Sequence, residues 1–211
     1  MTDMATRGFQ LIKRFRISRS DSPERKDWGF TLLEILVTMA VAAILSTFIA
    51  RTFLLQQKIY DVQGEVTDMV QRARSAVDLI TREVRLAGYD PTGVDFDGIV
   101  YDASALNLLA DLNADGDTSD ENESIVYSYD SVNNRINRND GSGNVILADD
   151  TQLSFAYLAA DGSATTTTDD IRRIKILIIA TAESADKDYP ENGGYRTYTL
   201  TSSVTPKNLD F

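Results

Sequence analysis

The chain contains no cysteine and no histidine, and only one tryptophan and four prolines among its 211 residues. Without cysteine there is no disulfide and no thiolate metal site. Without histidine there is no Ser-His-Asp or Cys-His triad, and the commonest general base and the usual zinc ligands are gone too. Carboxylate-pair chemistry is what remains, and nothing in the sequence singles out such a pair. Positive charge is also scarce. Against 32 Asp and Glu stand 21 Lys and Arg, a formal net charge of -11. Such a chain repels nucleic-acid phosphates. In the acidic remainder after the first 29 residues, the basic cluster Arg172, Arg173 and Lys175 falls on an expected strand that divides it between two faces, so no nucleic-acid partner is expected.

The charge is unevenly placed. Residues 1–29 carry seven Lys or Arg against four Asp or Glu, and the rest of the chain carries 14 against 28. A basic head before an apolar run, with an acidic remainder, matches a segment held on the cytoplasmic side while the bulk is exported. The apolar run covers residues 30–55, more than the roughly 20 residues a bilayer requires. One carboxylate, Glu34, lies near its start, and an ionisable group in a membrane segment is by default a functional hypothesis. A cleaved secretory signal would have a shorter apolar core followed by small residues, whereas Arg51, Thr52, Phe53 and Leu54 follow here. An ordinary membrane anchor leaves Glu34 unexplained. A buried helix of a soluble protein has no need of the basic head.

The residues KDWGFTLLEILVTMAVAAIL resemble the leader junction of type IV prepilins and pseudopilins. Gly29 stands at the last leader place, Phe30 at the first mature place and Glu34 at the fifth. Asp27 and Trp28 depart from the pattern, which often has a basic residue just before the glycine. The resemblance implies cleavage between Gly29 and Phe30 by a membrane prepilin peptidase, N-methylation of Phe30, and an assembly role for Glu34. A second stretch, AVDLITREVRLAGYD, is similar to the helix end of PilW-type minor pilins, with the J-type minor pseudopilins of type II secretion next. The family fold is α+β, a long N-terminal helix packed on an antiparallel β-sheet domain.

From residue 59 the apolar positions Val62, Val66, Met69, Val70, Ala73, Val77, Ile80 and Val84 recur at three- and four-residue steps, an amphipathic helix with one stripe for a sheet. Gly64 weakens it by about 1 kcal/mol relative to alanine and is a candidate bend. Gly88 and Pro91 stop it. The expected organisation is a leader over 1–29 that is removed, a membrane and assembly helix over 30–55, its amphipathic continuation over 56–88, and a periplasmic β-rich domain over 89–211. Strands are expected at 124–129, 134–138, 152–158, 171–182 and 195–204, from alternating or continuous apolar runs bounded by Asn, Asp and Gly turns.

One constellation in the β-rich part carries metal chemistry. Asp111, Asn113, Asp115, Asp117 and Ser119, with Gly116 between, match D-x-N-x-D-G-x-x-S, the first nine places of a calcium loop. The twelfth place, normally a glutamate, is Asn122, flanked by Glu121 and Glu123; a small register change lets either serve, and Glu123 is taken as the ligand. The competing reading is an acidic solvated turn, for which Asp, Asn, Gly and Ser are the ordinary residues.

The function expected from the resemblance is structural: a minor pilin in a type IV pilus, with no catalytic activity of its own. Its partners would be the prepilin peptidase, other major and minor pilins, the inner-membrane assembly platform, and membrane lipid before assembly. It would sit as a single-pass inner-membrane protein with a periplasmic domain, then in the pilus fibre or at its tip. A J-type minor pseudopilin of a secretion pseudopilus, or a pilus-associated adhesin, are the alternatives.

Overall fold

The computed structural model describes residues 29–209. The expected leader therefore lies, apart from Gly29, outside the described residues. Contacts divide the chain into two compact units, residues 1–50 and 51–211.

A single helix, α1, runs from Leu32 to Leu86. Its first part is apolar on all sides, and Phe30, Leu33, Leu36, Met39, Ile44 and Phe48 are all exposed. Thr38 and Thr47 turn their hydroxyls onto the carbonyls of Ile35 and Ala43 at 2.8 and 2.9 Å, which satisfies them without water. The helix continues through Gly64, the candidate bend, and a Cβ there would meet nothing within 4 Å. From Met69 onward the helix becomes one-sided. Met69, Ala73, Ala76, Val77, Ile80 and Val84 are buried at helical spacing, the stripe that the periodicity predicts. Arg72 and Glu83, which interrupt it, are also drawn inward by polar partners described below.

The helix ends on a left-handed residue, Gly88, at φ 76°, the conformation a helix C-terminus commonly adopts. Its N–H donates to the carbonyl of Leu109 at 2.8 Å, so the stop is also a tie to a strand. Gly98 passes so close that a Cβ on it would lie 2.3 Å from the Gly88 nitrogen. The two glycines are there because two backbones touch.

Eight strands follow among the described residues. The first five, β1 (Ile99–Val100), β2 (Ala105–Leu109), β3 (Ser124–Asp130), β4 (Arg135–Asn139) and β5 (Asn144–Ala148), form an antiparallel meander in chain order. The remaining three, β6 (Thr151–Leu158), β7 (Arg173–Thr181) and β8 (Thr197–Val204), form a second antiparallel sheet with β7 in the centre. The expected single sheet is thus two. The five expected strands are present as β3, β4, β6, β7 and β8, while β1, β2 and β5 are additional. On β7 the residues Ile174, Ile176, Ile178 and Ala180 all face inward with 0% exposure, and Leu177 and Ile179 between them are half-buried on the other face, so the run is nearly continuously apolar. They join Ile80 and Val84 of the helix and Leu106, Tyr127 and Ile136 of the first sheet in one core. Full burial of each isoleucine contributes about 1.5–3 kcal/mol.

With no cysteine to cross-link it, the 51–211 unit is tied by ion pairs. Arg138 on β4 reaches Glu83 on the helix at 2.9 Å and also holds Asp140. Tyr127 donates its hydroxyl to the other Glu83 oxygen. Burial, followed by that carboxylate, keeps the Tyr127 phenol protonated far above its ordinary range. Arg72 donates to the carbonyls of Asp149 and Thr181 at 2.9 and 3.0 Å. Asp186, in the β7–β8 loop, pairs with Lys58 at 3.1 Å and Arg196 at 3.0 Å.

Candidate functional site

The N-terminal junction is built by a local hydrogen-bond pattern. Thr31 immediately precedes the helix, and its hydroxyl accepts from the backbone N–H of Glu34 at 3.2 Å. In return, the Glu34 carboxylate accepts from the Thr31 backbone N–H at 3.3 Å. This is a capping box, in which two otherwise unpaired donors at a helix start are satisfied reciprocally. Glu34 therefore has a role inside its own chain as well as its conspicuous charge. The signal was present in the sequence as T-x-x-E ahead of an apolar run, and the expectation of an assembly role alone passed over it. Among the described residues no lysine or arginine forms an ion pair with Glu34.

Phe30 is 79% exposed. At Gly29 a Cβ would meet nothing within 4 Å, and its φ is not in the left-handed region. The described part of this chain thus gives no packing or backbone reason for glycine at position 29. An extended, unhindered peptide bond is what a protease acting there would require.

The acidic loop joins β2 to β3. Asp111 at its start is fully buried, and its carboxylate accepts from the backbone N–H groups of Ala114 and Gly116 at 2.7 and 3.1 Å and from the Thr92 hydroxyl at 3.3 Å. It organises the turn. Gly116, at φ 89°, is left-handed. Asn113 donates its amide to Asp115 at 3.0 Å and Asp120 at 2.8 Å. Ser119 donates its backbone N–H and hydroxyl to Asp117 at 2.8 and 2.7 Å, which together hold the Asp117 carboxyl below its ordinary pKa.

At the end of the loop the two glutamates that flank Asn122 differ in burial. Asn122 is left-handed, at φ 69°, and its side chain accepts from Arg138 at 3.3 Å. Glu121 is exposed, whereas Glu123 turns inward and is 2% exposed. One Glu123 oxygen accepts from the backbone N–H groups of Leu112 and Asn113 at 2.8 and 3.1 Å. The other, Oε2, is buried without a hydrogen-bond partner. Asp115, Asp117 and Glu123 each place a carboxylate oxygen within 4.8 Å of the other two. Asp120 stands beside them, and its pKa is raised chiefly by the negative charge of Asp115. Of the six residues read from the sequence as ligands, three converge. Asp111 and Ser119 serve the turn, and Asn113 bridges two of its acids.

Comparison with known proteins bears on the junction. Residues 28–50 match the prokaryotic N-terminal methylation motif. No curated protein matches the chain. Among solved structures, the type IV-like pilin TTHA1219 from Thermus thermophilus aligns at a TM-score of 0.42 and 13% identity, covering 68% of this chain and 96% of that one. The methylation motif begins at the residue before Gly29 and continues along an exposed apolar helix. The chain therefore carries the N-terminal methylation motif at the head of a long helix that packs, further along, on antiparallel sheets.

Proposed function

We propose that the chain is a minor type IV pilin, cut between Gly29 and Phe30 by a prepilin peptidase, methylated on Phe30 and incorporated into a pilus or used to prime its assembly. The observation that carries this reading is the methylation motif over residues 28–50 at the head of an apolar helix that the chain itself leaves exposed. A helix long and apolar enough to cross a membrane serves first as an anchor and then as the surface by which subunits associate. Before assembly its apolar side chains are covered by inner-membrane lipid, and afterwards by the helices of major and minor pilins delivered by the assembly platform.

Glu34 fits the second stage. Cleavage creates a new ammonium on Phe30, and in a low-dielectric filament core that cation and the Glu34 carboxylate of a neighbouring subunit neutralise each other. Removing one partner of a buried pair typically costs about 3–5 kcal/mol, enough to set subunit register. The role is structural, with the chain a substrate of the peptidase and no enzyme itself. In its membrane stage the β domain lies in the periplasm.

A clean deletion tests this, with surface pili counted and secreted protein assayed in the same culture. Lost pili with normal secretion supports the minor pilin. Normal pili with blocked secretion assigns the chain to a J-type pseudopilus instead. Normal pili and secretion with impaired surface attachment makes it an adhesive subunit.

A further inference from the structure

We propose that the β2–β3 loop is a calcium site in which Asp115, Asp117 and Glu123 supply the carboxylate ligands. The inference is independent of the assembly reading. Three carboxylate oxygens within 4.8 Å of one another form a concentration of negative charge that none of the described ion pairs offsets. That alone describes any acidic turn. The second observation is Glu123. It is 98% buried, and while one of its oxygens is fixed by two backbone N–H groups, Oε2 has no partner. A buried carboxylate oxygen with nothing to accept from is costly unless a cation uses it. The N–H groups of Leu112 and Asn113 hold the other oxygen, so the group is fixed in place before any ion arrives.

The donor set selects the ion. All the ligands are hard oxygens, with no histidine or cysteine in the chain to recruit zinc or copper. Calcium accepts six to eight oxygens in flexible geometry, whereas magnesium demands a tight octahedron and keeps its waters. The span from Asp111 to Glu123 is 13 residues, one longer than the 12-residue calcium loop, with left-handed backbone at Ala114, Gly116 and Asn122. Asp111 is a positioning residue. Its carboxylate binds Ala114, Gly116 and Thr92, tying the loop to the segment that follows the helix. An ion would therefore stiffen the turn after Gly88 as well as the loop itself.

The test uses the full-length chain in detergent micelles, titrated with calcium chloride in a calorimeter and melted with calcium or with a chelator. The expected affinity is that of extracellular modules, a Kd of about 10⁻⁴–10⁻³ M, with a higher Tm in calcium and slowed amide exchange across residues 111–123. Asp117 is exposed, so Asp117→Asn should leave the calcium-free chain folded while weakening binding at least about tenfold. Glu123→Gln should weaken it further and abolish the Tm gain. No saturable heat and an unchanged melt in millimolar calcium would overturn the site. So would equal binding by wild type and Asp117→Asn, or magnesium binding as tightly as calcium, since either result describes a solvated acidic surface.

Discussion

Arg138 on β4 grips Glu83 on the helix through two nitrogens, Nη2 at 2.9 Å and Nε at 3.1 Å from the same carboxylate oxygen. The side chains are only 15% and 11% exposed, and Tyr127 and Asp140 complete the group. This is a polar tie between helix and sheet within the 51–211 unit. Arg138→Ala leaves Glu83 charged, largely buried and without its cation, at an expected cost of about 3 kcal/mol. At about 2–4 °C per kcal/mol for a domain of this size, Tm should fall by roughly 6–12 °C. Arg138→Lys keeps the charge and loses the fork, so it should lie between the two. Thermal melts of the three proteins check the order.

Glu34 now carries two roles that one substitution cannot separate and two can. Glu34→Gln retains an oxygen for the Thr31 N–H and so keeps the cap, while removing the charge. Glu34→Ala removes both, and loss of such a capping interaction costs about 1 kcal/mol. If charge governs assembly, both variants should be cleaved normally and both should fail to enter pili, which immunoblots of whole-cell and sheared-pilus fractions measure. Incorporation of Glu34→Gln at the wild-type level would reduce Glu34 to a capping residue.

Much of this architecture was legible in the sequence because it rests on period and length. The apolar stripe from Met69 to Val84 and the continuous apolar run of β7 each follow from where side chains must point. What was missed has physical reasons. β1 is two residues long, and β5 is an edge strand whose Val145 and Ile146 are exposed, so neither shows the alternation of a half-buried strand. The Glu83–Arg138 pair is 55 residues apart, and no local pattern announces it. In the acidic loop the ligand-like residues were readable. Which of Glu121 and Glu123 turns inward depended on the left-handed backbone at Asn122, which spacing alone does not specify.

Acid should loosen the β7–β8 loop. The Asp188 backbone N–H first, then Arg196 and Lys58, hold the Asp186 carboxyl down to about 2, against an ordinary value near 3.9 in an unfolded chain. A depressed folded-state pKa means the unfolded chain takes up the proton more readily. The stabilisation is therefore complete above about pH 4 and is lost as pH falls toward 2. Asp140, held to about 2 by the Ser142 hydroxyl and then by Arg138, adds to the same window. Wild-type Tm should be flat from neutrality to about pH 5 and fall below pH 4. Asp186→Asn should start lower and show a shallower acid limb in melts recorded across that range.

Three glycines make contrasting predictions from one geometric measure. At Gly98 a Cβ would sit 2.3 Å from the nitrogen and 2.4 Å from the Cα of Gly88. Both are backbone atoms that cannot rotate away, so Gly98→Ala must separate the helix end from the start of β1. The expected cost is about 3 kcal/mol, the upper end for overpacking. At Gly88 a Cβ would meet the Asn208 carbonyl at 2.8 Å and also carry a φ of 76°, so Gly88→Ala should be destabilising for both reasons. Gly64 lies mid-helix with open space around it, and there alanine should stabilise by about 0.5–1 kcal/mol because glycine loses more chain entropy in a helix. Denaturant or thermal unfolding should therefore rank Gly64→Ala above wild type, with Gly88→Ala and Gly98→Ala below it. A Gly98→Ala protein as stable as wild type would mean that the chain crossing at Gly88 is looser than 2.3 Å implies.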